Sequence, residues 1–169
     1  LRIGKTLEQT LETTNTGDAP VVFTQALHSY FRVSDVAGVR VEGLDGLRAR
    51  LEEYYKLGAR FAKWRAVITI GEDMPSGTCI DVNAHALARY AALCQEQGLV
   101  PMVEPEVLLD GDHDIQTAYE VTEVVLRGVF DALYSQNVML EGTILKASMV
   151  LPGRDCEEEA DVEEVAEAT

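Results

Sequence analysis

Three apolar segments of the sequence carry ionisable side chains at positions that share one strand face. Lys63 and Arg65 lie in FAKWRAVI, Glu104 and Glu106 in VPMVEPEVL, and Lys146 in GTILKASMV. Alternate residues of a β-strand point to the same side of its sheet, so each segment predicts a polar face. A charge is costly to bury unless it is paired. The pattern favours a functional cluster, although internal ion pairs in a polar layer would also produce it.

Two amines, a guanidinium group and two carboxylates are the groups that imine chemistry requires. A lysine attacks a carbonyl carbon in its neutral form, which a neighbouring cation and partial burial both favour. Carboxylates supply general acid and base catalysis, and additional cations bind phosphate. The residues therefore predict imine chemistry on a phosphorylated carbonyl compound. Their spacing does not decide which lysine forms the imine.

Helix and strand patterns alternate after residue 43, and this alternation would position the cluster. We predict helices over 45–57, from Ser76 to Gly98 and from Asp114 onward, and strands over 61–70, 99–107 and 138–151. A βαβαβ series requires a parallel sheet with its helices packed outside.

The charged residues recur at a regular interval, since Lys63, Glu104 and Lys146 are 41 and 42 residues apart. Such regular units are typical of a (β/α)8 TIM barrel, of which about three units are present. An open doubly wound sheet is the competing fold, but it would normally show a glycine-rich loop after its first strand. Residues 7–42 instead show β-type alternation and turn residues, which predicts a β segment over 1–43 and a barrel segment over 44–169.

Three blocks of this sequence resemble class I (Schiff-base) fructose-1,6-bisphosphate aldolases, from about Gly43 to Thr169. They are GLDGLRARLEEYYKLGARFAKWRAVITIGEDMPS, LARYAALCQEQGLVPMVEPEVLLDGDHD and LEGTILKASMVLPG. The resemblance implies a TIM barrel, usually homotetrameric, that uses neither metal nor another cofactor. It implies reversible cleavage of fructose 1,6-bisphosphate to dihydroxyacetone phosphate and glyceraldehyde 3-phosphate in glycolysis and gluconeogenesis.

The same resemblance implies individual catalytic roles. The lysine matching Lys146 forms the Schiff base, and the residue matching Glu104 transfers protons with help from Glu106. Lys63 and Arg65 match residues that contact the substrate and tune the charge of the site. Other family strands, with their aspartate, phosphate-binding serine and arginine, and tyrosine, have no match, and Ala147 stands where the family usually has proline. We therefore expect this chain alone to be inactive in cleavage.

The N-terminal segment resembles a different family, the hexose-6-phosphate mutarotases (glucose-6-phosphate 1-epimerases), chiefly in LHSYFRVSD. The resemblance implies a piece of a β-sandwich in which His28 is a general acid toward the ring oxygen of the sugar. The glutamate base of that family has no match here. Because VEGLDGL fits both families, we expect a fusion or a mis-joined gene, and a non-catalytic remnant is the third interpretation.

The overall composition excludes several other classes of function. The 169 residues carry a formal net charge of −15, which disfavours nucleic acid and anionic membrane surfaces as partners. Three cysteines without a CxxC pair indicate a cytoplasmic location. Asp110 begins a calcium-loop-like stretch, but Ile115 replaces the glycine that such a loop requires, so we predict no metal. Eight carboxylates between residues 155 and 169 predict a solvated acidic helix.

Overall fold

The computed structural model describes residues 2–3, 7–8, 44 and 46–169. The chain divides into two compact units, Leu1–Arg40 and Val41–Thr169. In the first unit, strands β1 (Arg2–Ile3) and β2 (Leu7–Glu8) pair in antiparallel orientation. His28 lies outside the described residues, so its predicted role stays a prediction.

The second unit is a parallel α/β structure, which confirms the predicted fold class. Its elements follow the order α1 (Leu47–Lys56), β3 (Phe61–Ile68), α2 (Gly77–Glu96), β4 (Val100–Val107), α3 (Ile115–Ser135), a 3-10 helix (Leu140–Gly142), β5 (Ile144–Leu145) and α4 (Val162–Ala168). The three strands form one parallel sheet in the order β3-β4-β5. Because β4 is the central strand, its side chains can meet residues of both neighbours.

Side-chain caps start the helices at the positions that the sequence predicts. The Ser76 hydroxyl accepts a hydrogen bond from the Cys79 N–H, and the Asp114 carboxylate accepts one from the Thr117 N–H. Each bond satisfies an amide that has no partner within the helix. At the acidic end of the chain, Asp161 and Glu164 form a reciprocal capping box. The predicted acidic helix is therefore α4.

The apolar core lies between the sheet and helices α2 and α3. Leu87, Ala91 and Cys94 of α2 are buried, as are Val103 of β4 and Val125 of α3. On β3, Trp64 points away from Lys63 and toward this core, where its ring lies 5.5 Å from the ring of Tyr90. This packing holds the helices on one face of the sheet and leaves the opposite face to the charged residues.

The predicted third strand over 138–151 is wrong in length. Strand pairing covers Ile144 and Leu145 alone, and the 3-10 helix occupies the preceding residues. The β-branched and apolar residues of this segment have a strand pattern, but the backbone N–H and carbonyl of Met139 and the Gly142 carbonyl are bonded to a side chain of α2 instead of to a neighbouring strand. The segment that carries Lys146 is thus held mainly by contacts other than a strand ladder.

In the part of the chain that the structure describes, no helix combines the length and apolar character needed to cross a membrane.

Candidate active site

Glu104 is the centre of the charged cluster. Its side chain is only 2% exposed, and its two carboxylate oxygens meet Lys63 of β3 and Lys146, which directly follows β5. The Lys63 Nζ lies 2.5 Å from Glu104 Oε2, and the Lys146 Nζ donates a hydrogen bond to Glu104 Oε1. The structure therefore brings together the three residues that recur at regular intervals in the sequence.

The two lysines keep Glu104 ionised in spite of its burial. Burial alone raises the pKa of this carboxyl group, because the charged form loses its hydration. Hydrogen bonding and electrostatic attraction from Lys146 and Lys63 together outweigh that effect, so the pKa of Glu104 lies below its usual range. The resting site holds a buried carboxylate that can accept a proton from either amine.

Arg65 and Glu106 form a second pair on the same face. The Arg65 Nε donates a hydrogen bond to Glu106 Oε2. This bond is the main cause that lowers the pKa of Glu106, and burial opposes it. Glu104 raises the pKa of Glu106 by repulsion, so the two carboxylates are near enough to influence each other. The site thus contains two carboxylates and three basic side chains, joined in two ion-paired groups on one face of the sheet.

The five groups of the cluster differ in their exposure to solvent. Glu104 is buried, whereas the Lys63 side chain is 38% exposed and that of Lys146 is 54% exposed. Both amines can therefore be reached by a molecule from solvent while their carboxylate partner remains behind them. Accessible amines in contact with a buried carboxylate can attack a small carbonyl compound and exchange protons during the attack.

Two residues near the site were not identified from the sequence. Gln95 of α2 bonds the backbone that leads to Lys146, and the Tyr90 hydroxyl donates to the Met102 carbonyl, two residues before Glu104. Burial, with a smaller contribution from Cys94, raises the pKa of Tyr90 far above its usual value, so the phenol stays protonated. For Tyr90, the available signal in the sequence was a side chain with a polar group on an otherwise apolar helix face. Nothing local distinguishes Gln95 from Gln97.

Among residues 46–169, no group of three or more histidine, cysteine, aspartate or glutamate side chains has a geometry that could hold a metal ion. The ionisable residues of the candidate site are instead paired with one another.

The parallel β/α units, with charged residues on β3, on β4 and directly after β5, define a segment of a (β/α)-barrel enzyme. The family model for class I fructose-bisphosphate aldolase, the glycolytic type, matches residues 30–169. The chain belongs to the class I fructose-bisphosphate aldolase family.

Curated relatives agree with this assignment. The chain is 82% identical over 128 residues to a probable fructose-bisphosphate aldolase class 1 of Xanthomonas campestris, covering 76% of this chain and 38% of the relative. It is 59% identical over 127 residues to the cytosolic fructose-bisphosphate aldolase 5 of Arabidopsis thaliana, covering 73% of this chain and 36% of the relative. The chain thus spans little more than a third of the length of these relatives.

A solved structure shares the fold at high similarity. Fructose-bisphosphate aldolase from Plasmodium falciparum, crystallised with TRAP and a small-molecule inhibitor, matches with a TM-score of 0.74 and 48% sequence identity. The match covers 75% of this chain and 37% of the other. The similarity supports the interpretation of the second unit as part of a TIM barrel.

Proposed function

We propose that residues 44–169 form the Schiff-base portion of a class I fructose-1,6-bisphosphate aldolase, with Lys146 as the nucleophile. The observation that carries this proposal is the contact of Lys146 with the buried, ionised Glu104. The substrate is a phosphorylated ketose or triose, and the reaction is a carbon–carbon lyase reaction of glycolysis and gluconeogenesis. The proposed reaction needs no metal or other cofactor, because the cationic lysine imine withdraws the electrons of the carbon–carbon bond that breaks.

Glu104 moves the protons of imine formation in this mechanism. It takes a proton from the Lys146 ammonium group, and the neutral amine then attacks the C2 carbonyl carbon of the ketose. The attack gives an adduct with a positive nitrogen and a negative C2 oxygen, and a proton passes from that nitrogen to the oxygen to give a neutral carbinolamine. The protonated Glu104 then donates its proton to the C2 hydroxyl, which leaves as water and gives a cationic imine. Glu106, held by Arg65, assists these transfers as a second carboxylate beside the first.

Lys63 and Arg65 supply the positive charge that a phosphorylated substrate requires. Both lie on β3, on the face that carries the cluster, and Lys63 remains beside Glu104 when Lys146 is consumed as imine. A retained cation stabilises the Glu104 carboxylate after it has given up its proton. Lys63 therefore contributes to catalysis as well as to substrate binding.

The extent of the chain limits which step we expect from it. It covers 38% of the Xanthomonas relative, and the family strands that bring further substrate contacts have no match. We therefore expect imine formation with dihydroxyacetone phosphate to be the chemistry these residues supply, and we do not expect cleavage of fructose bisphosphate by this chain alone. Assembly as a homotetramer and a cytoplasmic location belong to the same proposal, the latter supported by relatives named as cytosolic or cytoplasmic.

Borohydride trapping tests the proposal directly. The chain is incubated with dihydroxyacetone phosphate, reduced with borohydride, and digested for mass spectrometry. We expect a reduced adduct on Lys146 that Lys146→Ala abolishes, while Lys56→Ala leaves it unchanged because Lys56 is an exposed partner of Glu52. Absence of any adduct from the folded wild-type chain, or an adduct that persists on Lys63 in Lys146→Ala, would contradict the assignment.

We propose separately that residues 1–43 derive from a hexose-6-phosphate mutarotase, on the resemblance of LHSYFRVSD. His28 is the general acid of this proposal, since imidazole is the side chain most often used for proton transfer near neutral pH. Faster interconversion of the anomers of glucose 6-phosphate, lost in His28→Ala, would support it. Rates equal to the uncatalysed reaction in both proteins would instead favour a non-catalytic remnant of a fusion.

A further inference from the structure

The amide side chain of Gln95 binds the backbone of a segment 44 residues further along the chain. Its Oε1 accepts a hydrogen bond from the Met139 N–H at 2.9 Å, and its Nε2 donates to the Met139 carbonyl at 2.8 Å. Both backbone groups of one residue are thus satisfied by one side chain. This is the bonding that a neighbouring strand would otherwise supply.

The same amide group also contacts the end of the turn that follows Met139. Nε2 lies 3.3 Å from Thr143 Oγ1 and 3.4 Å from the Gly142 carbonyl oxygen. The Gly142 N–H and the Thr143 hydroxyl both donate to the Met139 carbonyl, each at 3.1 Å. Met139, Gly142 and Thr143 are therefore fixed around one amide group, which we call the Gln95 clamp.

The clamp ends three residues before Lys146. Beyond it, Ile144 and Leu145 pair with β4, and the Lys146 N–H donates to the Val103 carbonyl at 2.8 Å. A strand of two residues fixes little by itself, since strands usually run for about five or six residues. The direction in which the chain enters this strand is set by the clamp on one side and by β4 on the other.

Close packing leaves the clamp little freedom. A Cβ atom added at Gly142 would lie 3.3 Å from Gln95 Nε2 and 2.8 Å from the end of the Met139 side chain. The backbone at Gly142 therefore lies against the amide group. Small displacements of Gln95 would be transmitted to the turn because packed groups cannot move independently.

We propose that Gln95 is a positioning residue for Lys146: its side-chain amide takes the place of strand pairing over residues 139–143 and so fixes the lysine against Glu104. The role in the reaction rests on the proposed function, whereas the control of the Lys146 backbone does not. A misplacement of about 1 Å at a reacting group can reduce a rate by roughly 100-fold. A residue without contact to the substrate can therefore have a large effect on imine formation.

Hydrogen exchange of the whole chain, resolved by residue, tests the backbone part. In Gln95→Leu we expect the Met139, Gly142, Thr143 and Lys146 amides to exchange about 5- to 10-fold faster, as expected for the loss of hydrogen-bonded support at this segment. Gln97→Leu makes the same chemical change two residues further along and should leave these amides unchanged. Unchanged exchange at Lys146 in Gln95→Leu overturns the proposal.

Gln95→Glu separates the two halves of the clamp. A carboxylate keeps an acceptor for the Met139 N–H but cannot donate to the Met139 carbonyl. We expect slow exchange at Met139 to be retained while Gly142 and Thr143 exchange faster. Equally faster amide exchange at Met139, Gly142 and Thr143 would contradict a clamp in which Gln95 both accepts from and donates to the backbone.

The rate of borohydride-trapped adduct formation tests the reaction part. In Gln95→Leu we expect this rate at saturating dihydroxyacetone phosphate to fall about 10- to 100-fold. The half-saturating concentration should change less than about 2-fold, because Lys63 and Arg65 still bind the substrate. Faster exchange at Lys146 with an unchanged trapping rate overturns the positioning role. If the wild-type chain forms no adduct, the proposed function fails, and the exchange data alone decide whether Gln95 fixes the Lys146 backbone.

Discussion

Lys63 reaches diagonally across the sheet to Glu104. The residue opposite Lys63 in the parallel register is Met102, and Arg65 is the residue opposite Glu104, yet the Lys63 Nζ lies 2.5 Å from Glu104 Oε2. Arg65 repeats the displacement by pairing with Glu106 instead of with Glu104. The displacement leaves Glu104 Oε1 to Lys146, so one central carboxylate is shared by a lysine of β3 and by the lysine that directly follows β5.

Glu104→Gln should slow imine formation strongly. The amide occupies nearly the same volume but cannot accept a proton from Lys146, so we expect the trapping rate with dihydroxyacetone phosphate to fall roughly 100- to 10,000-fold. Glu53→Gln, an exposed change on α1, is the matched control. A rate within a few-fold of wild type would show that another group transfers the proton.

Glu104 should also make stability depend on acidic pH. Its pKa is lower in the folded chain than in the unfolded chain, where it is about 4.3. The stabilisation is therefore fully present above the unfolded value and is lost as pH falls through the folded value. Urea unfolding between about pH 5 and about pH 3 should show a smaller loss of unfolding free energy in Glu104→Gln than in wild type. If the unfolding free energy falls equally with pH in the two proteins, the lowered pKa of Glu104 is contradicted.

Tyr90→Phe should destabilise the second unit through the support of β4. The buried Tyr90 hydroxyl donates to the half-buried Met102 carbonyl at 3.3 Å, and its removal leaves that carbonyl with one partner fewer. We expect a loss of about 1 kcal/mol in the free energy of unfolding, measured with urea. Tyr134→Phe, at a side chain that is 82% exposed, should change it by less than about 0.5 kcal/mol. Equal effects of the two changes would refute this role.

Gly153→Ala should be among the more damaging small substitutions. A Cβ atom at this position would lie 2.2 Å from the Gly111 carbonyl oxygen, and neither backbone can yield without disturbing the bonds of Gly153 N–H to His113 and of Asp155 N–H to Gly111. We expect a loss of about 1–3 kcal/mol in unfolding free energy. Gly77→Ala, in the first turn of α2 with open space around it, should be neutral or stabilising. A neutral Gly153→Ala would mean that the two loops can separate freely.

Ser76→Ala should weaken the start of α2. The change removes the acceptor for the Cys79 N–H, and the expected loss is about 1 kcal/mol in thermal or urea unfolding. Ser76→Asp keeps an acceptor at the N-cap and should retain most of the wild-type stability. Loss of equal size in both variants would argue against capping as the cause.

Local patterns in the sequence determined where most elements begin and which residues share a face. The caps at Ser76 and Asp114 were predictable because a helix start depends on a few neighbouring residues. The common face of Lys63 with Arg65, and of Glu104 with Glu106, followed from the two-residue period of a strand. The resemblance to aldolases rested on these same segments, and the comparisons confirm it.

Tertiary structure alone decided how these residues meet. The sharing of Glu104 by two lysines depends on strand order and on a diagonal reach, neither of which a local period contains. The short β5 and the Gln95 clamp also escaped prediction, because a backbone segment with a strand-like pattern can be satisfied by any polar group that the fold brings to it. Strand faces and helix caps depend on residues a few positions apart, so the sequence determined them. Contacts between residues more than 40 positions apart required the packed helices and sheet.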